Sequence, residues 1–138
     1  MSEIARFGVS LDKVLLAKFD SLIKNRQYTN RSEAFRDLIR QELVKEEWEK
    51  DRDVVGAITI IYDHHQRTIL SRINDIQHDF LNTIISTQHI HLDHNNCCEI
   101  IAVRGKAGDV QRLSDALKSV RGVRHETLNM SSTGQAIK

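Results

Sequence analysis

The segment Gln88-His89-Ile90-His91-Leu92-Asp93-His94-Asn95-Asn96-Cys97-Cys98 gathers three histidines and both cysteines of the chain into about one hairpin. Ser86-Thr87 leads in and Glu99-Ile100-Ile101-Ala102-Val103 leads out, so β-prone residues flank a polar turn. Side chains alternate faces along a strand, so His89 and His91 point the same way, roughly 6.5–7 Å apart. Two imidazoles at that spacing can share one metal ion if the returning strand brings a third donor, and a cysteine can bring it as thiolate. Loop length decides which cysteine does so. A three-residue loop, His94-Asn95-Asn96, pairs Asp93 with Cys97 and His91 with Glu99, so Cys97 shares the histidine face and Cys98 turns away. A two-residue loop, Asn95-Asn96, places Cys98 on that face instead.

The rest of the chain sets bounds on what such a hairpin serves. At 138 residues the chain can form one domain or two small ones, and its patterning argues for two, 1–50 and 51–138. Hydrophobic residues make up 40% and aromatics only 5%, which predicts aliphatic cores. A net charge of +1 excludes a polybasic coat, so any contact with nucleic acid must come from local placement of charge. No apolar run approaches the ~18 residues of a membrane span, and no export leader is evident. Adjacent Cys97 and Cys98, the only cysteines, cannot easily staple a fold; a reducing, cytoplasmic setting with a thiol free for metal is expected.

From Ile4 to Ser10 the chain alternates, with Phe7, Val9 and Leu11 on one side and Arg6, Gly8 and Ser10 on the other, the pattern of a half-buried strand. Asp12 can cap a helix bearing Leu15, Leu16, Phe19, Leu22 and Ile23 at helical spacing. Asn30 opens a second helix with Glu33 at the capping-box position, and Ala34, Phe35, Leu38, Ile39, Leu43 and Val44 are its expected buried surface. One strand and two helices cannot bury such faces alone, whereas two copies paired through the strand can. This unit resembles the ribbon-helix-helix DNA-binding domains, whose second-helix start is matched by Asn30-Arg31-Ser32-Glu33-Ala34. The resemblance implies that the paired strands lie in the major groove, with Arg6, Gly8 and Ser10 turned to base edges. Gly8 departs from the polar residue usual there. Ser32 and the backbone donors at the helix start would grip a phosphate.

A charge-dense stretch, Glu46 to Asp53, follows and is able to prolong the second helix. Beyond it the pattern predicts a buried strand to Tyr62 and a helix from about His65 to Asn82 with Ile69, Ile73, Ile76 and Phe80 inward. The hairpin comes next, then a helix over 109–120, a stop at Gly122, a strand over 123–130 and a polar tail. The order β-α-β-β-α-β is the split βαβ arrangement. The chain is therefore expected to be α+β, a ribbon-helix-helix head followed by a ferredoxin-like domain.

His78 lies two residues past Ile76, about 200° around the helix, and so points away from its own sheet. A ribbon-helix-helix head followed by Gln77-His78, His89-Ile90-His91 and Cys97-Cys98-Glu99 resembles the NikR family of nickel-responsive regulators along essentially the whole chain. The resemblance implies a homotetramer, a dimer of dimers, built on ACT-type ferredoxin-like domains. Ni(II) would be held by His89, His91 and Cys97 of one protomer and His78 of another. It implies Cys97, not Cys98, as the thiolate. Three imidazoles and a thiolate suit square-planar Ni(II) or Cu(II) alike, so nickel rests on the resemblance. Gln77 and Glu99 are read as orienters of the ligand histidines. Glu33 and Asp37, one turn apart, are candidates for a second, hard cation, and Arg67 for a DNA phosphate. His64, His65, His94 and His125 are read as solvated or locally bonded. The function expected is a nickel-dependent regulator, a repressor of nickel uptake genes that acts on a palindromic operator in double-stranded DNA. An intracellular metal buffer or chaperone is the alternative. Four protein ligands leave no position for a reacting water, so no enzyme is expected.

Overall fold

The computed structural model of the chain describes residues 3–138. It divides into two compact units, one through Arg40 and one from Gln41 to Lys138. The expected boundary near residue 50 thus lies later than the division between units, which falls inside a helix.

In the first unit, α1 spans Lys13–Asn25 and begins as Asp12 predicts, its carboxylate accepting from the Val14 N–H at 2.8 Å and the Leu15 N–H at 3.4 Å. These contacts satisfy donors that a helix start leaves open. The second helix, α2, spans Arg31–Glu49, and Asn30 Oδ1 accepts from the Glu33 N–H at 2.9 Å. Only half of the capping box forms, because the Glu33 carboxylate pairs with Arg36 instead. The expected strand over Ile4–Ser10 joins no ladder among the described residues. Phe7 and Val9 are 76% and 51% exposed, and Leu38 and Ile39, expected to be buried, are 38% and 51% exposed. Of the expected helix surface, only Ala34 is fully covered. The apolar faces of this unit are thus left largely open to solvent in the single chain. Phe7 nevertheless meets Phe35 edge-on at 6.3 Å, and Phe35 meets Phe19 at 5.4 Å, so the Phe7 side of the segment faces the helices as the alternation requires.

The second unit starts with the last turns of α2, held by Trp48 Nε1–H donating to the Ser131 carbonyl at 2.9 Å and by Ser132 Oγ–H on the Glu47 carboxylate. There follow β1 (Asp53–Tyr62), α3 (Arg67–Asp79), β2 (Ile84–His91), β3 (Cys97–Lys106), α4 (Ala107–Lys118) and β4 (Val123–Ser132). The strands form one antiparallel sheet in the order β2-β3-β1-β4, the ferredoxin-like arrangement. Alternate residues of β1 are buried because only one sheet face carries helices: Val54, Ile58, Ile60 and Tyr62 pack with Ile101 and Val103 against Ile69, Ile73, Ile76, Val110, Leu113 and Leu117. Each such burial contributes about 1.5–3 kcal/mol. The tail ends in a short 3-10 turn, Gln135–Ile137. Among the described residues, no helix is long and apolar enough to cross a membrane.

Hairpin register differs from both expectations. Cα pairing sets His91 opposite Cys97 and His89 opposite Glu99, so the loop is Leu92 to Asn96 rather than two or three residues. Asp93 sustains the longer loop: its Oδ1 accepts the Asn95 and Asn96 N–H groups at 2.8 Å each, and Asn96 Nδ2–H reaches both carboxylate oxygens. Such local turns built by Asp side chains are a familiar competitor of the ladder. Relative to the three-residue loop, the register moves by two, and an even shift keeps every side chain on its face. Cys97 therefore stays with the histidines.

Candidate metal centre

Directly paired residues share a sheet face, so Tyr62, Cys97 and His91 form one row across β1, β3 and β2, and Ile60, Glu99 and His89 form the next. Cys97 Sγ lies 2.5 Å from His89 Nε2 and 3.7 Å from His91 Nδ1. The histidines are exposed while Cys97 is wholly buried. Cys98 falls in the row Ile90, Cys98, Ile61 on the opposite face. Burial, reinforced by the Glu99 carboxylate and by Cys98, pushes the Cys97 thiol up from its ordinary range. A nearby cation reverses that balance, since a coordinated thiol gives up its proton.

Glu99 is buried, yet both its oxygens are engaged: Tyr62 O–H donates to Oε2 at 2.8 Å and Gln77 Nε2–H to Oε1 at 2.7 Å. Glu99 thus accepts from both Tyr62 and Gln77, and among the described residues no bond from Glu99 or Gln77 to His89 or His91 is seen; contact with His89 comes from the Tyr62 ring, edge-on at 6.2 Å. Burial, then the hydrogen bond to Glu99, raises the Tyr62 phenol above its ordinary range.

His78 is exposed on α3 and, among the described residues, joins no group of metal-binding side chains. His64 does. It follows β1 directly and is half-buried, and a ring nitrogen of His64, one of His91 and Cys97 Sγ all lie within 4.8 Å of one another. Its Nδ1 is buried without a hydrogen-bond partner. Partial burial, then the neighbouring His65 and His91, holds its pKa below the ordinary value, favouring the neutral ring that binds metal. The only forewarning of His64 lies in strand register: Tyr62 stands opposite Cys97, so the chain just past Tyr62 must emerge beside the hairpin. His65 bonds Asp63 at 3.1 Å and stacks near His94 at 4.9 Å, and His125 is exposed on β4.

This donor set fits a borderline transition ion. Two imidazole nitrogens and a buried thiol already converge, and a third imidazole nitrogen close by lacks a partner. In the first unit Arg6, Gly8, Ser10 and Ser32 are exposed, as is Arg67 at the start of α3 in the second. Glu33 is paired with Arg36, and Asp37 accepts from the Tyr28 hydroxyl.

A head with this helix pair and a metal-binding βαββαβ domain define a metal-responsive DNA-binding regulator. Residues 5–46 match the copG family of ribbon-helix-helix proteins, and residues 55–131 match the NikR C terminal nickel binding domain. The chain is 64% identical to a nickel-responsive regulator of Syntrophus aciditrophicus over 135 residues, 98% of each protein. It is 57% identical to one of Chlorobium phaeobacteroides over 96% of this chain and 98% of that one, and 52% identical to one of Solibacter usitatus over the whole of both. An uncharacterized protein of Thermotoga maritima shares the fold over 56% of this chain and 95% of its own, with a TM-score of 0.51 at 17% identity. The chain belongs to the NikR family. It is a nickel-dependent transcriptional regulator with Ni(II) as cofactor, and not an enzyme.

Proposed function

We propose that His89, His91 and Cys97 hold Ni(II) together with His78 of the partner subunit, and that this shared centre makes operator binding depend on nickel. The observation that carries the reading is the convergence of two imidazole nitrogens on the buried Cys97 thiol. When bound, nickel would supply the cation that lets His89, His91 and Cys97 share a centre with a donor from a second copy. Cys97 releases its proton to solvent, and His78, exposed on α3, commits that helix to a neighbouring hairpin. The Tyr62–Glu99–Gln77 bonds tie the same helix to β3 within the chain.

Four copies, as a dimer of dimers, give two paired heads to a palindromic operator, with Arg6, Gly8 and Ser10 turned to bases and Ser32 and Arg67 to phosphates. Repression of nickel uptake genes, in the cytoplasm, completes the reading. A ligand shifts such an equilibrium only by its differential affinity; moving it from 1% to 99% takes a preference of about 10⁴-fold. A second cation at Glu33 and Asp37 would replace their contacts with Arg36 and Tyr28.

The test is fluorescence anisotropy of the full chain with DNA from its own upstream region, with Ni(II) and with a chelator. Specific affinity should appear only with nickel. In Arg6→Ala it should fall by the ~1–3 kcal/mol of one base contact while nickel binding is unchanged. Tight nickel binding without specific DNA affinity would instead make the protein a metal buffer.

A further inference from the structure

Resting on the hairpin ligands proposed above, we infer that Arg124 of β4 is a positioning residue for nickel. It clasps the loop between His91 and Cys97 from the far edge of the sheet, and so holds these two donors at a separation that suits a metal.

Sheet register brings Arg124 to that place. Val123, Tyr62, Cys97 and His91 form one row across β4, β1, β3 and β2. Along β1, Ile61 pairs with His125 and Tyr62 with Val123, so Arg124 is the extra residue of a β-bulge and has no partner in the ladder. A bulge bends its strand and re-aims a side chain, and bulges recur beside functional sites for that reason. The Arg124 guanidinium reaches past the end of β1 and donates through Nη1 to Asn96 Oδ1.

Asn96 adjoins Cys97, and its carbonyl accepts the Leu92 N–H at 3.0 Å and the Asp93 N–H at 3.3 Å, from the two residues that follow His91. Its amide Nδ2–H groups go to both oxygens of Asp93. Arg124 therefore holds a residue that is bonded to both flanks of the ligand pair. Charge supports the same contact. Hydrogen bonds from Asn96 and Asn95 hold the Asp93 carboxyl below its ordinary range, those from His65 do so for Asp63, and the Arg124 charge adds to each. A loop without this tie would have to be ordered as the metal binds, which costs affinity; a loop tied in advance avoids that cost. The bond is to Asn96 and not to a donor, so the ligand set stays intact without Arg124.

The experiment titrates Ni(II) against a competing chelator in the full chain, read at the nickel–thiolate band, with metal-free melting alongside. It compares wild type with Arg124→Ala, Arg124→Lys, Asn96→Ala and the Arg124→Ala, Asn96→Ala pair. Every chain should show the band at the wild-type position, because the ligands are unchanged. Arg124→Ala should bind nickel about tenfold more weakly, the lower end for residues that orient metal ligands. Arg124→Lys keeps a donor for Asn96 and should recover most of that loss. The pair should bind no more weakly than Asn96→Ala alone, as expected of residues that act through one bond. Wild-type affinity in Arg124→Ala, whether or not its metal-free melting falls, or losses that multiply in the pair, would overturn the clasp and leave the ligand set standing. Absence of the band in wild type would overturn the ligand set and the clasp with it.

Discussion

Cys97 faces the helices in a row with Tyr62 and His91, whereas Cys98 pairs with Ile61 and Ile90 on the other side of the sheet. Neighbours along a strand diverge in this way because successive side chains alternate. Cys98→Ala should therefore keep the nickel–thiolate absorption band and Cys97→Ala should lose it; the reverse pattern would mean that the ligand face is misassigned. Tyr62 answers to pH. Its phenol keeps its proton in the folded chain where an unfolded phenol, near 10, has released it. The folded state then binds more protons, so this contribution to stability is complete below about pH 10 and falls as pH rises beyond it. Metal-free Tyr62→Phe should melt earlier at neutral pH, by the ~1–3 kcal/mol of a lost bond to a buried carboxylate. It should also lose less stability than wild type across pH 10; parallel melting curves would contradict this. Residue types and their spacing pointed to His89 and His91 and left the thiolate open between Cys97 and Cys98, which the family resemblance narrowed to Cys97. They could not single out His64, whose place depends on the pairing of β1 with β3, far apart in sequence.

Periodicity located α3, α4 and the four strands of the second unit, with ends displaced by a few residues, but not the short 3-10 turn Gln135–Ile137, which falls in what reads as a polar tail. The third helix starts at Arg67 rather than His65, and α4 at Ala107 rather than Asp109. The loop of the hairpin was less legible, because Asp93 gathers three backbone and side-chain donors of its own and so holds a five-residue turn. The expected strand over residues 4–10 failed for another reason: strand backbone needs a second strand, and one chain offers it none there. Gly122, read as a helix stop, also allows close packing. Its φ is +102°, and a Cβ there would run into Ile69 Cδ1. Gly122→Ala should cost about 1–3 kcal/mol from backbone strain alone. A urea-unfolding midpoint that gives a change within about 0.5 kcal/mol, the range of ordinary surface substitutions, would remove that role.

For the whole molecule, the proposed reading assigns the exposed apolar side chains of the first unit and the exposed His78 of the second to the same partner, another copy of the chain. Sequence patterning conveyed the first need through a lone strand with two half-covered helices. It conveyed the second only through resemblance, because an outward histidine taken alone reads as solvated. Nickel would then link the copies through side chains that no single chain brings together. The most direct test mixes purified His78→Ala and Cys97→Ala chains, lets subunits exchange, and follows the nickel–thiolate absorption band. Each variant alone should lack the native band. The mixture should regain part of it, because one copy brings an intact hairpin and the other an intact His78. No recovery at any mixing ratio, with subunit exchange verified, would contradict a centre shared between protomers.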